Sequence, residues 1–131
     1  MTVTSKAVSR WVNGYVRAWQ QREAKAAASL FAEDAVYSSH PFRPVQKGRS
    51  AVLEYTIGAF DLDEVYEVRF GKPVVEGTRA AVEYWGIMKE DGKDVTIAGS
   101  VMLRLRRAAS ATNFETTGYF KRGRFQFRMS C

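Results

Sequence analysis

Cysteine and histidine are almost absent from this chain of 131 residues. Its one cysteine is the last residue, Cys131, which excludes a disulfide within the chain and a metal site built from cysteines. His40 is the one histidine, and the carboxylates do not cluster along the sequence, so we expect no bound metal. The sequence also lacks a motif for a nucleotide, a flavin or a haem, and we therefore expect no cofactor.

Long apolar runs are lacking as well. No window approaches the ~18 uninterrupted apolar residues of a membrane-spanning helix, and the first residues, MTVTSKAVSRW, lack the apolar run of a secretory signal. The sequence therefore predicts a cytoplasmic protein that does not associate with membranes. Because 46% of the residues are hydrophobic, the chain can bury a core of its own, and we expect a single domain over residues 1–131.

Positive charge is concentrated in the last quarter of the chain. Residues 104–128 contain seven arginines and lysines against one glutamate, which accounts for the whole formal net charge of +6. Such a region would suit an anionic partner. However, the arginines alternate with apolar residues, as outward positions of solvated strands do, and no recognition helix carries them. We therefore favour a solvated surface, and binding to nucleic acid is not expected.

The first half of the chain has the periodicity of helices. In residues 5–21, apolar side chains recur three and four positions apart, which predicts an amphipathic helix. Residues 24–32 and 51–60 favour two further helices on propensity and capping, and Leu53, Ile57 and Phe60 form the expected core side of the third. A short strand at 34–38 and a proline-containing loop lie between them.

From residue 64 the hydrophobic period changes to two. Alternating segments predict strands over residues 64–70, 79–89, 95–106, 113–120 and 124–129. Asp91-Gly92 is typical of a tight hairpin turn. Helices followed by long hairpin-linked strands predict an α+β fold, in which the helices pack on one face of a curved sheet and leave a concave pocket.

The stretch GYVRAWQQREAKAAASLFAEDAVYSSHPF, followed by GRSAVLEY, resembles the opening of nuclear transport factor 2-like proteins. The closest resemblance is to their SnoaL-like and ketosteroid isomerase branch, and it extends over most of residues 5–120. It implies a cone-shaped α+β barrel with three N-terminal helices packed on a curved antiparallel sheet, a largely apolar pocket and a homodimer. This fold hosts isomerases, cyclases, dehydratases, epoxide hydrolases and binding modules, so the resemblance leaves the chemistry open.

The resemblance also suggests catalytic residues. In the ketosteroid isomerase pattern, a helix tyrosine and a strand aspartate hold the developing enolate, and an aspartate before a proline shuttles the proton. Tyr15 falls at the tyrosine position, and His40 falls at the loop position if one residue is inserted, or Ser39 without the insertion. Val101 replaces the strand aspartate and cannot donate a hydrogen bond. His40 can exchange a proton near neutral pH, although a structural turn residue would also explain it, and core packing would explain Tyr15.

Inward positions of the strands form the expected wall of the pocket. The apolar face of residues 95–106 places Val101 in this wall, and the resemblance implies that Tyr84, Phe114, Thr116 and Phe120 point inward from the neighbouring strands. With Trp11 on the first helix, these are the expected ligand contacts. The same alignment implies that Gly86 and Gly118 face the cavity and widen it. On the opposite face Trp85 and Ile87 would be exposed, which predicts a homodimer through the outer face of the sheet.

Two functions of different classes follow from these observations. The first is binding of a small apolar carbonyl compound in a mostly apolar pocket, with isomerisation, cyclisation or dehydration through His40, assisted by Tyr15 or Tyr84. The second is a non-catalytic ligand-binding or dimerisation module with a basic contact surface. Arg43 and Arg49 flank the loop and could pair with an anionic group, although solvation is the favoured role. The orientation of the His40 ring distinguishes the two functions.

Overall fold

The computed structural model of the protein describes residues 3–106 and 110–126. The helices are α1 (Ser5–Gln20), α2 (Ala24–Ala28) and α3 (Arg49–Leu62). The strands are β1 (Phe31–Ser38), β2 (Gln46–Lys47), β3 (Asp63–Phe70), β4 (Val74–Glu76), β5 (Arg79–Glu90), β6 (Lys93–Leu105) and β7 (Ala111–Arg122). None of the described helices is long and apolar enough to cross a membrane.

The strands form one seven-stranded sheet in the order β2-β1-β7-β6-β5-β3, and the short β4 pairs with β5. The pairs are antiparallel except for β1 with β7, which is parallel. Parallel pairing needs a long crossover, and here α3 and the strands β2–β6 separate the two partners. The predicted α+β fold is confirmed, with three helices on a curved, mostly antiparallel sheet that is not closed.

The core lies between α1 and the concave face of the sheet. Thr4 caps α1 by accepting a hydrogen bond from the amide of Ala7 (3.0 Å), and the helix buries Val8, Trp11 and Val12. Alternate residues of the central strands meet this helix, as the period of two predicted, and the buried ones include Val82, Tyr84, Met88, Ile97, Val101, Leu103, Leu105 and Phe114. Phe114 is the centre of an aromatic cluster.

The second helix is shorter than the sequence predicted, and the first strand is longer. α2 ends at Ala28 instead of residue 32, and β1 begins at Phe31 instead of residue 34. The reason is tertiary, because the carbonyl of Leu30 accepts hydrogen bonds from the amide of Ala111 and from the indole of Trp11 (2.8 Å). These partners stabilise an extended backbone that local propensity does not favour.

The buried face of α3 also differs from the prediction. Val52, Thr56 and Phe60 are buried, whereas Ile57 is 47% exposed. The hydroxyl of Thr56 donates to the carbonyl of Val52 (2.6 Å). Because this bond satisfies the hydroxyl inside the helix, a threonine can occupy the core side.

The segment after β7 buries residues of the outer face of the sheet that the sequence predicted to be exposed. Trp85 and Ile87 are only 3% and 9% exposed, so the prediction that they face solvent is wrong. The indole of Trp85 donates a hydrogen bond to the carbonyl of Phe125 (3.0 Å). The hydroxyl of Thr96 donates to the carbonyl of Gly123 (2.8 Å) and accepts from the amide of Phe125 (2.9 Å). Residues 124–126 therefore cover this face instead of forming a strand, and the rest of the predicted strand, 127–129, lies outside the described residues.

Candidate functional site

A cavity of about 130 Å³ opens between α1, α3 and the concave face of the sheet. Nine of its 18 described lining residues are aromatic: Tyr15, Trp19, Tyr37, Tyr55, Phe60, Phe70, Tyr84, Phe114 and Phe120. Five are polar or charged without being aromatic: Ser39, Arg43, Thr56, Glu90 and Thr116. An apolar wall with a few convergent polar groups is typical of small-molecule sites.

Most of the predicted ligand-contact residues lie on this cavity. Tyr15, Tyr84, Val101, Phe114, Thr116 and Phe120 all line it. Trp11 does not, since its ring stacks under Tyr15 at 5.4 Å and its indole is held by the carbonyl of Leu30. Trp11 is instead a core residue outside the described lining of the cavity, because its hydrogen bond directs the side chain into the core.

His40 lies outside the cavity, in the loop after β1. Its Nδ1 accepts a hydrogen bond from the amide of Phe42 (3.2 Å), and its carbonyl accepts from the amide of Arg43 (3.2 Å) and from the hydroxyl of Ser38 (3.2 Å). The ring therefore stabilises its own turn, and His40 is not among the described lining residues of the cavity. This is the structural role that the sequence allowed as an alternative.

The tyrosine hydroxyls form the polar part of the cavity. Those of Tyr15 and Tyr37 lie 3.4 Å apart and are hydrogen-bonded, and the Tyr55 ring packs against that of Tyr37 at 5.4 Å. Burial, reinforced by neighbouring tyrosines, raises the pKa of Tyr37 well above its ordinary value. Burial also raises the pKa of Tyr84, while a hydrogen bond with Thr116 acts in the opposite direction. Both phenols therefore remain protonated donors at neutral pH.

Thr116 links the loop to the sheet at the edge of the cavity. Its hydroxyl donates to the carbonyl of Ser39 (3.0 Å), and both residues line the cavity. This bond holds the segment before His40 against β7. The bond therefore explains why Ser39, a loop residue that no hydrophobic pattern predicts to be buried, lines the cavity.

Gly86 and Gly118 do not widen the cavity, contrary to the prediction. Neither is among the described lining residues. A Cβ atom at position 118 would overlap the hydroxyl of Tyr84, and one at position 86 would lie 3.2 Å from the carbonyl oxygen of Glu67. Gly118 therefore provides the space in which the Tyr84 side chain lies.

Tyr37, Tyr55 and Glu90 are lining residues that the sequence reasoning missed. Tyr37 shares the inward face of β1 with Ala35, and this alternation was the available signal. Tyr55 lies beside the buried face of α3, and it was missed because the predicted core side of this helix was a different one. Glu90 ends β5 and is the one carboxylate among the described lining residues. Among residues 3–106 and 110–126, no three histidine, cysteine or acidic side chains are arranged to hold a metal ion.

The family model of the SnoaL-like domain matches residues 12–111, which is more than half of the chain. The chain belongs to the SnoaL-like domain family. The resemblance seen in the sequence is thus confirmed. No curated protein sequence matches this SnoaL-like chain significantly.

Solved structures share the fold at low sequence identity. A protein of ketosteroid isomerase-like fold from Catenulispora acidiphila, in complex with trimethylamine, has a TM-score of 0.72 and 20% identity, covering 83% of each chain. An epoxide hydrolase of Mycobacterium tuberculosis described as LEH-like has a TM-score of 0.74 and 12% identity, covering 87% of this chain and 84% of that one. SalBIII, an epoxide hydrolase/cyclase-like enzyme, has a TM-score of 0.70 and 18% identity, covering 85% and 89%. At these identities the comparisons establish the fold alone.

Proposed function

We propose that this SnoaL-like protein binds a small, mostly apolar molecule with a carbonyl-type oxygen in the cavity. The observation that carries the proposal is the hydrogen-bonded pair of Tyr15 and Tyr37 on a wall that is otherwise largely apolar. A bound oxygen would accept from such hydroxyls, while the aromatic and aliphatic side chains would cover the rest of the ligand.

The size of the cavity limits the ligand. Its volume of about 130 Å³ is close to the about 150 Å³ that accommodates one benzene ring in a protein interior. A single ring or a short branched chain therefore fits the cavity as it stands. A molecule of several fused rings would require α3 or the loop after β1 to move.

Proton transfer next to the carbonyl is the reaction that suits this arrangement. Removal of a proton from the α-carbon places the electron pair on the carbonyl oxygen, where the protonated tyrosines would stabilise the enolate. Glu90 lines the cavity and is our first candidate for the base, and His40, in the loop beside the cavity, is the second. In a β,γ-unsaturated ketone, return of the proton from the base to the γ-carbon would move the double bond and complete an isomerisation. Attack of the enolate carbon on a second carbonyl, whose oxygen then takes the proton from the base, would complete a cyclisation.

A ligand-binding module without chemistry is the second candidate function. It is favoured by one observation, the engagement of His40 in its own turn outside the cavity. Exchange of α-protons separates the two functions, because a binding module holds a ketone without exchanging its protons.

Tyr37→Phe tests the binding proposal, because it removes the hydroxyl and keeps the ring. We expect the affinity for cyclohexanone to fall about 2- to 10-fold, since a buried hydrogen bond contributes about 0.5–1.5 kcal/mol. Binding of methylenecyclohexane, the carbon isostere, should not change. NMR titration measures both, and Tyr119→Phe is the control, since Tyr119 is 84% exposed. A variant that binds the ketone as tightly as the original chain would refute the tyrosine role.

Trimethylammonium tests whether the cavity prefers a carbonyl compound to a cation. The C. acidiphila protein was solved with trimethylamine, and aromatic walls also attract compact cations. If the protein binds trimethylammonium but not cyclohexanone, the carbonyl proposal is overturned.

Deuterium exchange tests the assigned base. We expect the protein to catalyse deuteration of the α-carbon of cyclohexanone in D₂O, and the exchange should disappear in Glu90→Gln. If the exchange disappears only in His40→Ala, His40 is the base.

We further propose that the protein is a homodimer through the outer face of β6 and β7. Trp85 no longer supports this interface, but Met102 and Tyr119 on that face are 44% and 84% exposed. We expect Met102→Lys combined with Tyr119→Lys to convert the dimer into a monomer in sedimentation equilibrium. Phe42→Lys, at a loop position that is 91% exposed, should leave the dimer intact. A monomeric original chain would exclude the interface.

A further inference from the structure

A second depression of about 410 Å³ adjoins the mouth of the cavity. Arg43, Glu90 and Phe120 line both, so the two form one continuous surface. The depression alone is lined by His40, Asp91, Lys93, Val95, Lys121 and Arg122. We call its four cationic residues, Arg43, Lys93, Lys121 and Arg122, the basic rim.

The basic rim carries more positive charge than its own carboxylates balance. Four arginines and lysines face two acidic side chains, those of Glu90 and Asp91. Among the described residues, neither carboxylate forms an ion pair with a rim cation. The depression is therefore a locally positive, solvent-exposed concave surface at the entrance of an apolar cavity.

Other arginines of the protein have partners that those of the basic rim lack. Arg79, Arg106 and Arg124 pair with Glu76, Asp34 and Asp94 at 2.6–3.0 Å. Within the described part of the chain, no such ion pair involves the cations of the rim. Lys121 instead lies over the ring of Phe125, 4.2 Å from its centroid. Among the described residues of the last quarter, Arg106 and Arg124 thus have acidic partners, whereas Lys121 and Arg122 line the depression.

We infer that the basic rim binds an anionic group of the ligand whose apolar part occupies the cavity. The inference rests on the proposed function and defines its substrate class as a small ring or short chain that bears a carboxylate or a phosphate. Arginine and lysine side chains recognise both anions. Because Arg43 and Phe120 belong to both surfaces, a short spacer joins the apolar and the anionic part of such a ligand.

Matched probes test the rim separately from the cavity. 4-Phenylbutyrate and 4-phenylbutanol share the ring and the spacer but differ in charge. We expect the acid to bind about 10-fold more tightly in calorimetry at about 0.02 M salt, since three or four exposed pairs each contribute about 0.2–1 kcal/mol. The preference should largely disappear at about 0.5 M salt, where screening is strong. 4-Phenylbutyl phosphate shows which anion the rim prefers.

A charge-matched pair of variants locates the effect. Lys121→Gln combined with Arg122→Gln should reduce the preference for the acid to about 3-fold or less, with binding of the alcohol unchanged. Lys6→Gln combined with Arg10→Gln removes the same charge from the exposed surface of α1, away from the depression, and should preserve the preference.

Each other outcome contradicts the inference in a distinguishable way. Equal affinity of acid and alcohol would overturn the rim and leave the proposed cavity function standing. If both double variants lose the preference for the acid to the same extent, the preference comes from the net charge of the protein, and the rim is not a binding site. Failure of all three probes to bind would overturn the rim, and the titration with cyclohexanone then shows independently whether the proposed function stands.

Discussion

Phe114→Ala is expected to lower the free energy of unfolding by about 3–5 kcal/mol. The ring is 1% exposed and contacts those of Trp11, Tyr15, Phe31 and Tyr37, with centroids 4.8–6.0 Å away. Truncation removes the transfer free energy of the ring and leaves a void that aromatic neighbours cannot fill without leaving their rotamers. Since domains of this size are stable by about 5–15 kcal/mol, the loss is a large part of the total.

Urea unfolding followed by tryptophan fluorescence measures this loss. Phe42→Ala is the matched control, because Phe42 is 91% exposed and its truncation should change stability by less than about 0.5 kcal/mol. Because Phe114 also lines the cavity, the variant should accept a larger ring than cyclohexanone if it remains folded at low temperature. A loss below about 1 kcal/mol would show that the aromatic cluster does not form the centre of the core.

Gly99→Ala is expected to lower the free energy of unfolding by about 3 kcal/mol, because the added methyl group overlaps backbone atoms that cannot rotate away. Gly99 lies opposite Gly118 in the register of β6 and β7. A Cβ atom on Gly99 would overlap the carbonyl oxygen of Thr117 and the Cα of Gly118. Relief of this overlap requires β7 to move away, which weakens the ladder and displaces the wall that carries Thr116.

Gly58→Ala is the control for Gly99→Ala, and it should change stability in the opposite direction. Gly58 lies within α3, and a Cβ atom there would meet nothing within 4 Å. Alanine stabilises a helix interior by about 1 kcal/mol relative to glycine. Thermal unfolding of both variants tests the pair. Equal, small effects would show that the strands do not approach each other as closely at Gly99 as the geometry indicates.

Periodicity predicted the parts of the fold that depend on a repeated pattern. Apolar spacings of three and four residues predicted α1, because such residues lie on one face of a helix. Alternation predicted β5 and β6 and their inward faces, because every second residue of a strand points to the same side. Periodicity failed to predict the end of an element where a single long-range hydrogen bond sets it. α2 ends early because Leu30 is held by Ala111 and Trp11, and neither partner is visible in the local sequence.

The candidate site divides in the same way. The strand pattern placed Val101 in the wall, and the family resemblance placed Tyr84 and Phe114 there. The contact of Tyr15 with Tyr37 instead joins two elements whose packing angle no local pattern contains. His40 shows the limit most clearly. A loop residue has no repeated pattern to orient it, and a hydrogen bond from the amide two residues later holds the His40 ring in its own turn, outside the described lining of the cavity.

The sequence by itself determined the α+β class, the order of helices and strands and the apolar character of the strand faces, because these depend on the spacing of side chains along one chain. Only the tertiary structure decided that residues 124–126 cover Trp85, that Glu90 lines the cavity and that Arg43 and Arg122 face the same depression. These features depend on residues far apart in sequence, whose positions are set by how the elements pack against one another.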